Sequence, residues 1–303
     1  MAVMPNAPKV ISTSEDGTIS VWNFDDDPAP RTLCREETSI DALALASDGR
    51  YAISGSSSGL LRIWDLVRMD ESKTAKNKGQ PIIAVGVESQ GRDFISVTNN
   101  GDIDVWELTT GIHKTRMPDR VHELVKSASV SPNGRYVVLA YSVFLPCTLI
   151  RDLETDTVEI APEGFGGRLG AIAFMPDGKR AISASDAARI LVWDLQTNAI
   201  LQILAEYVLP TSVAVASDGR FFACAFNRIL QIRSLDTGEV LASSVAENPL
   251  TACAITPRSS AVVAGDEQGW VYVWTDINRN RSIIENNISD ASTSNNERPA
   301  NTD

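Results

Sequence analysis

A chain of 303 residues, 43% of them hydrophobic, has ample material for a packed core, and its formal net charge of −12 argues against the dense Lys and Arg surface on which polyanion binding relies. Cys34, Cys147, Cys224 and Cys253 form no Cys-x-x-Cys pair, and the chain shows neither an eighteen-residue apolar run nor a basic-then-apolar leader. The expectation is a reduced, cytoplasmic protein with no nucleic-acid and no membrane partner.

One cassette of about forty residues returns seven times, with marker positions at Trp22, Trp64, Trp106, Arg151, Trp193, Arg233 and Trp274. The intervals are 42, 42, 45, 42, 40 and 41 residues, a period that reads as a radial or solenoid array of short strands. In the first repeat, residues 2–12 lie in register with 44–54, so the chain starts inside an innermost strand of which Val3 and Met4 are the remnant. A ring built this way lacks the closure in which both chain ends share one blade, and it fits either a C-terminal fragment of a longer protein or a protein with a short first strand. The run Asp25, Asp26 and Asp27 precedes Pro28 and Pro30 and lacks the alternating oxygen ligands of a calcium loop, so it reads as a solvated loop.

The second repeat shows the grammar most clearly. Residues 40–46 alternate as a first strand, Ser47-Asp48-Gly49-Arg50 turns the chain, 51–55 form a second strand, and Ser56-Ser57-Ser58-Gly59 turns it into a third at 60–66. The polar, Lys-rich segment 71–79 is expected to make a ragged outer strand or a loop. Later first turns repeat at 89–92, 131–134, 175–178, 217–220 and 256–259, and second turns at 99–101, 186–188 and 267–269. The fourth repeat has a longer, apolar second turn over 141–146, the sixth a shortened one after Phe226, and Gly164-Phe165-Gly166-Gly167 forms a loop into the fifth. Residues 281–286 fall where the seventh repeat needs its outer strand, and the polar segment 287–303 is expected to be a disordered tail. The fold class is all-β: a seven-bladed propeller over residues 1–286, with mostly four-stranded antiparallel blades and a truncated inner strand in the first.

With Ile63-Trp64-Asp65-Leu66 and Val192-Trp193-Asp194-Leu195 ending two repeats, and Trp22, Trp106 and Trp274 in phase with them, the chain resembles the WD40-repeat family. The resemblance covers roughly residues 1–286. It implies a noncatalytic protein-interaction, scaffold or sensor module, of the kind found at the C-terminus of signalling proteins including STAND-type ATPases, with an effector domain upstream in the same polypeptide. The family's recurring His-based hydrogen-bonded network departs here, because the chain has only His113 and His122; apolar packing is expected to replace it, with at most His122 approximating it. Arg151 and Arg233 at marker positions are read as structural, their stems covering apolar surface while their heads reach solvent.

No phosphate-binding loop, dinucleotide fingerprint, His-Glu-x-x-His or Gly-x-Ser-x-Gly motif is present, and both histidines read as structural, so no catalytic residue, cofactor or metal is expected. Partner-binding candidates come from the rim where second turns and interblade links emerge. They are Glu15, Asp16, Ser57, Asn99, Asn100, Asp186, Asn227, Arg228, Asp266 and Glu267, with Trp270, Tyr141, Phe144, Leu145, Phe165 and Phe226 as apolar anchors. Because these positions are mostly neutral or acidic, the expected partner is a protein or peptide of basic or hydrogen-bonding character, bound by a ring that is monomeric in isolation. Two other readings remain open: a hydrolase or other enzyme using acidic residues at the propeller mouth, and a structural subunit of a multiprotein assembly.

Overall fold

Each cassette folds into one antiparallel sheet whose strands follow chain order, first strand innermost. Blade one is β1 (Ala2–Val3), β2 (Lys9–Thr13), β3 (Thr18–Asn23) and β4 (Arg31–Arg35); blade two is β5 (Ile40–Leu45), β6 (Tyr51–Ser56), β7 (Leu60–Asp65) and β8 (Asp70–Lys76). Blade three is β9 (Ile82–Val87), β10 (Asp93–Thr98), β11 (Ile103–Glu107) and β12 (His113–Met117); blade four is β13 (Val125–Val130), β14 (Tyr136–Tyr141), β15 (Thr148–Asp152) and β16 (Thr157–Ile160). Blade five is β17 (Leu169–Phe174), β18 (Arg180–Ser185), β19 (Arg189–Asp194) and β20 (Ala199–Glu206); blade six is β21 (Ser212–Val215), β22 (Phe221–Phe226), β23 (Ile229–Ser234) and β24 (Val240–Val245). Blade seven has β25 (Leu250–Ile255), β26 (Ala261–Asp266) and β27 (Val271–Thr275). This computed structural model describes residues 1–5, 7, 9–23, 30–77, 79–119, 121, 123–141, 148–161, 169–185, 189–206, 210–256 and 260–275. The expected outer strand at 281–286, the tail at 287–303, the loop at 164–167, His122 and Asp25 to Asp27 lie outside them.

The first strands stand side by side around the ring, β5 against β9, β9 against β13, and so on to β25, with β1 closing the circle between β25 and β5. β1 pairs Ala2 with Ile11 and Val3 with Val10, the offset that aligns Ala44 with Ile53 in blade two. The register anticipated for the first repeat is therefore the observed one. The outer segment of the second repeat takes the strand form of the two expected. β8 is seven residues long and pairs along β7 with one register shift, opposite Ile63 and Trp64. An outermost strand presents one edge to water, so it tolerates Asp, Glu and Lys provided a residue such as Ala75 turns inward, and Ala75 is 7% exposed.

The cores lie between blades rather than within them. Seven apolar clusters occupy the seven interfaces; Ile11, Ile19 and Ile40 of blades one and two enclose Trp64, for example, and Val10 and Trp22 meet Val263 and Val273 where blade seven joins blade one. A marker Trp thus packs into the interface with the preceding blade. Its indole nitrogen is satisfied from its own sheet: Trp22, Trp64 and Trp106 Nε1 donate to Ser12, Ser54 and Ser96 Oγ at 2.8, 2.9 and 2.9 Å. Ser183 holds the same register place in blade five, whereas blade seven has Ala264 there and Trp274 Nε1 is buried without a partner.

Where the marker is Arg, the hydroxyl column also breaks, to Leu139 in blade four and Cys224 in blade six. The expectation that these arginine heads reach solvent is corrected for Arg151, while Arg233 is half-buried. Arg151 is only 4% exposed; Nη2 donates to Asp156 Oδ1 at 2.6 Å and Nη1 to the Pro118 carbonyl at 3.1 Å. Arg233 is held by Gln231 Oε1 at 2.9 Å and the Gly238 carbonyl at 3.0 Å. A buried guanidinium demands acceptors, and the adjacent turn and link supply them.

The unpaired indole gives a direct test. Ala264→Ser places a hydroxyl where three sister blades bond their indole through one, and is expected to stabilise the ring by about 1 kcal/mol, read as a higher urea midpoint at unchanged slope; Ser54→Ala should lower it by a similar amount.

Candidate functional site

Second turns and interblade links interlock into one face of the ring. The Ser57 N–H donates to the Ser39 carbonyl at 3.0 Å and the Asn77 N–H to the Gly59 carbonyl at 2.9 Å, so the turn of blade two is bonded to the link entering it and the link leaving it. Asn99 repeats this, donating to Pro81 at 2.9 Å and accepting from Val125 at 2.8 Å, as do Asn227 with Leu250 at 2.6 Å and Glu267 with Pro249 at 3.0 Å. Such closeness limits the residues allowed. A Cβ at Gly17, whose φ is +80°, would lie 2.2 Å from the Glu36 carbonyl oxygen. In blade six the hairpin between Phe226 and Ile229 is only two residues long, and Asn227 adopts φ 51° to make it.

Inside this face the first strands share a further device. β5, β9, β13, β17 and β25 each carry one extra residue at the same level: Asp41, Ile83, Lys126, Gly170 and Thr251. A β-bulge re-aims the extra side chain out of the ladder, and here it does so around the central mouth. Thr211 stands at the corresponding point of blade six, donating through Oγ1 to the Ala225 and Leu250 carbonyls, both at 3.0 Å. Sequence reasoning missed these positions, although each follows an apolar residue at the start of its repeat (Ile40, Ile82, Val125, Leu169 and Leu250) in a pattern visible once the repeats are aligned.

The anticipated rim residues divide by exposure. Glu15, Asp16, Asn227, Arg228 and Glu267 are exposed, while Ser57, Asn99 and Asn100 are half-buried. Asp16 pairs with Arg35 at 3.1 Å and accepts from the Thr18 N–H at 3.0 Å; Arg228 Nε donates to the Ala246 carbonyl at 2.9 Å. Tyr141 is no surface anchor: it is 1% exposed, packs in the core between blades three and four, and donates its hydroxyl to Asp119 Oδ1 at 2.9 Å. Asp266 is likewise inward, accepting from the Gln268 and Trp270 N–H groups, Asn248 Nδ2 and the Tyr272 hydroxyl, all at 2.9 Å. Burial first, then that bond to Asp266, pushes the Tyr272 phenol up to about 12. Trp270 packs half-buried on the core between blades six and seven, and Phe226 on that between five and six. Phe144, Leu145, Phe165 and Asp186 lie outside the described residues.

Polar wiring, expected to be minor, also ties the first three blades together at their links. Asp104 is fully buried in β11 and accepts from Arg116 Nε at 2.8 Å, Arg116 Nη2 at 2.9 Å and Asn77 Nδ2 at 2.7 Å, while His113 Nε2 lies 2.6 Å from its Oδ1. The His113 ring also meets Trp106 edge-on at 4.8 Å. Asn77 comes from the link between blades two and three, so the carboxylate fastens a strand of one blade to the link from its neighbour. One interface earlier Arg62 does the same with opposite sign, reaching Glu36 at 2.8 Å and also Glu71. These charged links take the place of a recurring His network, and each serves a single junction.

The fold defines a class, the seven-bladed β-propellers, here with one face built of turns and links. Residues 1–23 and 30–65 match the family described as WD domain, G-beta repeat, and the later blades repeat the architecture of the matched ones. No curated protein matches the chain. Propellers of this family act in general as protein-interaction scaffolds, and among the described residues no group of three or more His, Cys, Asp or Glu is placed to hold a metal. No helix among them is long and apolar enough to cross a membrane.

Burial pushes the Asp104 carboxyl up, but hydrogen bonds from Arg116, His113 and Asn77 together outweigh it and hold its pKa below the ordinary aspartate range. A depressed folded-state pKa contributes stability that is fully present above the unfolded value of about 3.9 and is lost as pH falls through the folded value. Asp104→Asn is therefore expected to lower stability by roughly 1.5–3 kcal/mol at neutral pH, with the gap to the parent protein narrowing below about pH 4 in denaturant titrations.

Proposed function

We propose that this ring is a noncatalytic docking module that holds a basic, extended protein segment against the turn-and-link face. The observation that carries the reading is a sector of exposed acids across blades six, seven, one and two. Glu247, Glu267, Glu15 and Glu37 pair with no cation among the described residues, and Asp41 joins them at the mouth with only a contact from Ser39 Oγ at 3.3 Å. Exposed Lys126 belongs to blade four, outside the sector, Arg228 is tied to the Ala246 carbonyl beside Glu247, and Arg35 is tied to Asp16. On the opposite face, carboxylates are engaged by first-turn arginines, as in Arg135 with Asp152 at 2.7 Å, Arg180 with Asp177 at 2.7 Å and Arg220 with Asp218 at 2.8 Å. Uncompensated charge on a rigid rim favours an oppositely charged partner and speeds its arrival.

The enzyme reading gains nothing from the mouth, where the bulge residues supply one carboxylate, Asp41, and one ammonium, Lys126, with hydroxyl, aliphatic and glycine positions between them. The assembly reading has a specific support. Outer strands β16, β20 and β24 expose Val158, Ile160, Leu201, Ile203, Val240, Leu241 and Val245, where β8 and β12 are charged. Free thiols at Cys34, Cys224 and Cys253 support a reduced, cytoplasmic setting. The sensor role beside an effector domain rests on family resemblance, and the full coding sequence upstream of Met1 decides it.

A fluorescent nonapeptide alternating lysine and serine should bind the ring with an affinity that falls steeply with salt. Combined Glu15→Gln, Glu37→Gln, Asp41→Asn, Glu247→Gln and Glu267→Gln should weaken it at least about tenfold, or 1.4 kcal/mol. Equal affinity for the variant sinks the acidic-face reading. Sedimentation of the ring that shifts to dimer with concentration would favour the assembly reading over a monomeric ring.

A further inference from the structure

We propose that the flank between blades three and four is a receptor for a single lysine or arginine side chain of the basic segment, a refinement that rests on the docking reading above. A cavity of about 210 Å³ opens there, beside the broken marker column. Arg151 and Leu139 stand where other blades have an indole and its serine, and the guanidinium is drawn off to Asp156 and the Pro118 carbonyl. What remains is a slot with apolar walls from Val121, Leu139, Leu149 and Val158. Pockets for drug-sized ligands run about 300–1,000 Å³, so this one suits one side chain, with walls for an aliphatic stem.

The charges at the slot favour a cation. Arg151 and Asp156 neutralise each other, at 2.6 Å, which leaves Asp119 as the surplus carboxylate on the lining. Its Oδ1 accepts from Tyr141, but its Oδ2 is buried with no donor. Asn99 Oδ1 and Glu123 Oε2, from the turn and the link that meet at this same junction, are also buried acceptors without a donor. Of these acceptors Asp119 lines the slot, and a lysine brings three N–H groups to it while an arginine brings five. Buried polar groups are normally paired, so a donor-rich cation is the complement that the described residues of this junction lack.

The test uses the complete chain, labelled at Val and Leu methyls, with n-butylammonium and n-butylguanidinium as side-chain probes and n-butanol as the neutral control. Saturable shifts at Val121, Leu139, Leu149 and Val158 with both cations, at least about tenfold tighter than with n-butanol, are expected from a charge-assisted site. Asp119→Asn should erase the difference between cation and alcohol. Val158→Trp, at a position 46% exposed and so harmless to the core, should block all three probes. Equal binding of alcohol and cation, no saturable shift, or an unaltered preference in Asp119→Asn overturns the proposal. The outcomes separate from those of the docking reading: cation binding here with a peptide insensitive to the acidic sector retains the slot and removes that face, and the converse does the reverse.

Discussion

Everything in this ring depends on sheet faces packing against sheet faces. No blade has a core of its own; each apolar cluster is shared by two neighbours, and seven such clusters must fit together at once for the circle to close. The marker column is the chemical form of that constraint. A large flat indole fills the interface with the preceding blade, and a serine ten residues earlier satisfies its one polar atom without admitting water. The turns above inherit their rigidity from this packing, which makes a surface of irregular backbone dependable as a recognition face.

Where the column fails, polarity enters in a controlled way. Arg151 and Arg233 replace an apolar plate with a group that must be hydrogen-bonded, and neighbouring turns and links become obligate partners. Asp104 and Arg62 show the same logic one layer out, each recruiting a residue from the link of the blade before it. Replacing such groups by apolar ones can be neutral, whereas removing one partner leaves a buried charge, so these junctions are individually specified rather than repeated.

The number of blades, their boundaries and the phase of the first strand were legible because period and turn chemistry repeat, and repetition multiplies a weak local signal into a strong one. The strand at Asp70–Lys76 could not be told from a loop because hydrophobicity reports burial, and an outermost strand needs little of it. On the rim, exposed acids such as Glu15 and Glu267 could be read from turn position. Tyr141 and Asp266 could not, since their inward direction depends on partners twenty-two and eighteen residues away, Asp119 and Asn248. The bulge ring at Asp41, Ile83, Lys126, Gly170 and Thr251 escaped notice because one extra residue per strand leaves composition untouched and alters only register.

In the ring, β1 contributes two residues beside β25 and β5, which contribute six each. The acidic sector lies across this joint, with Glu247 and Glu267 on one side and Glu15 and Glu37 on the other. A segment bound along the sector as proposed would span separate blades, and its binding energy would add to the apolar contact that joins them: occupancy on the rim becomes stability of the ring.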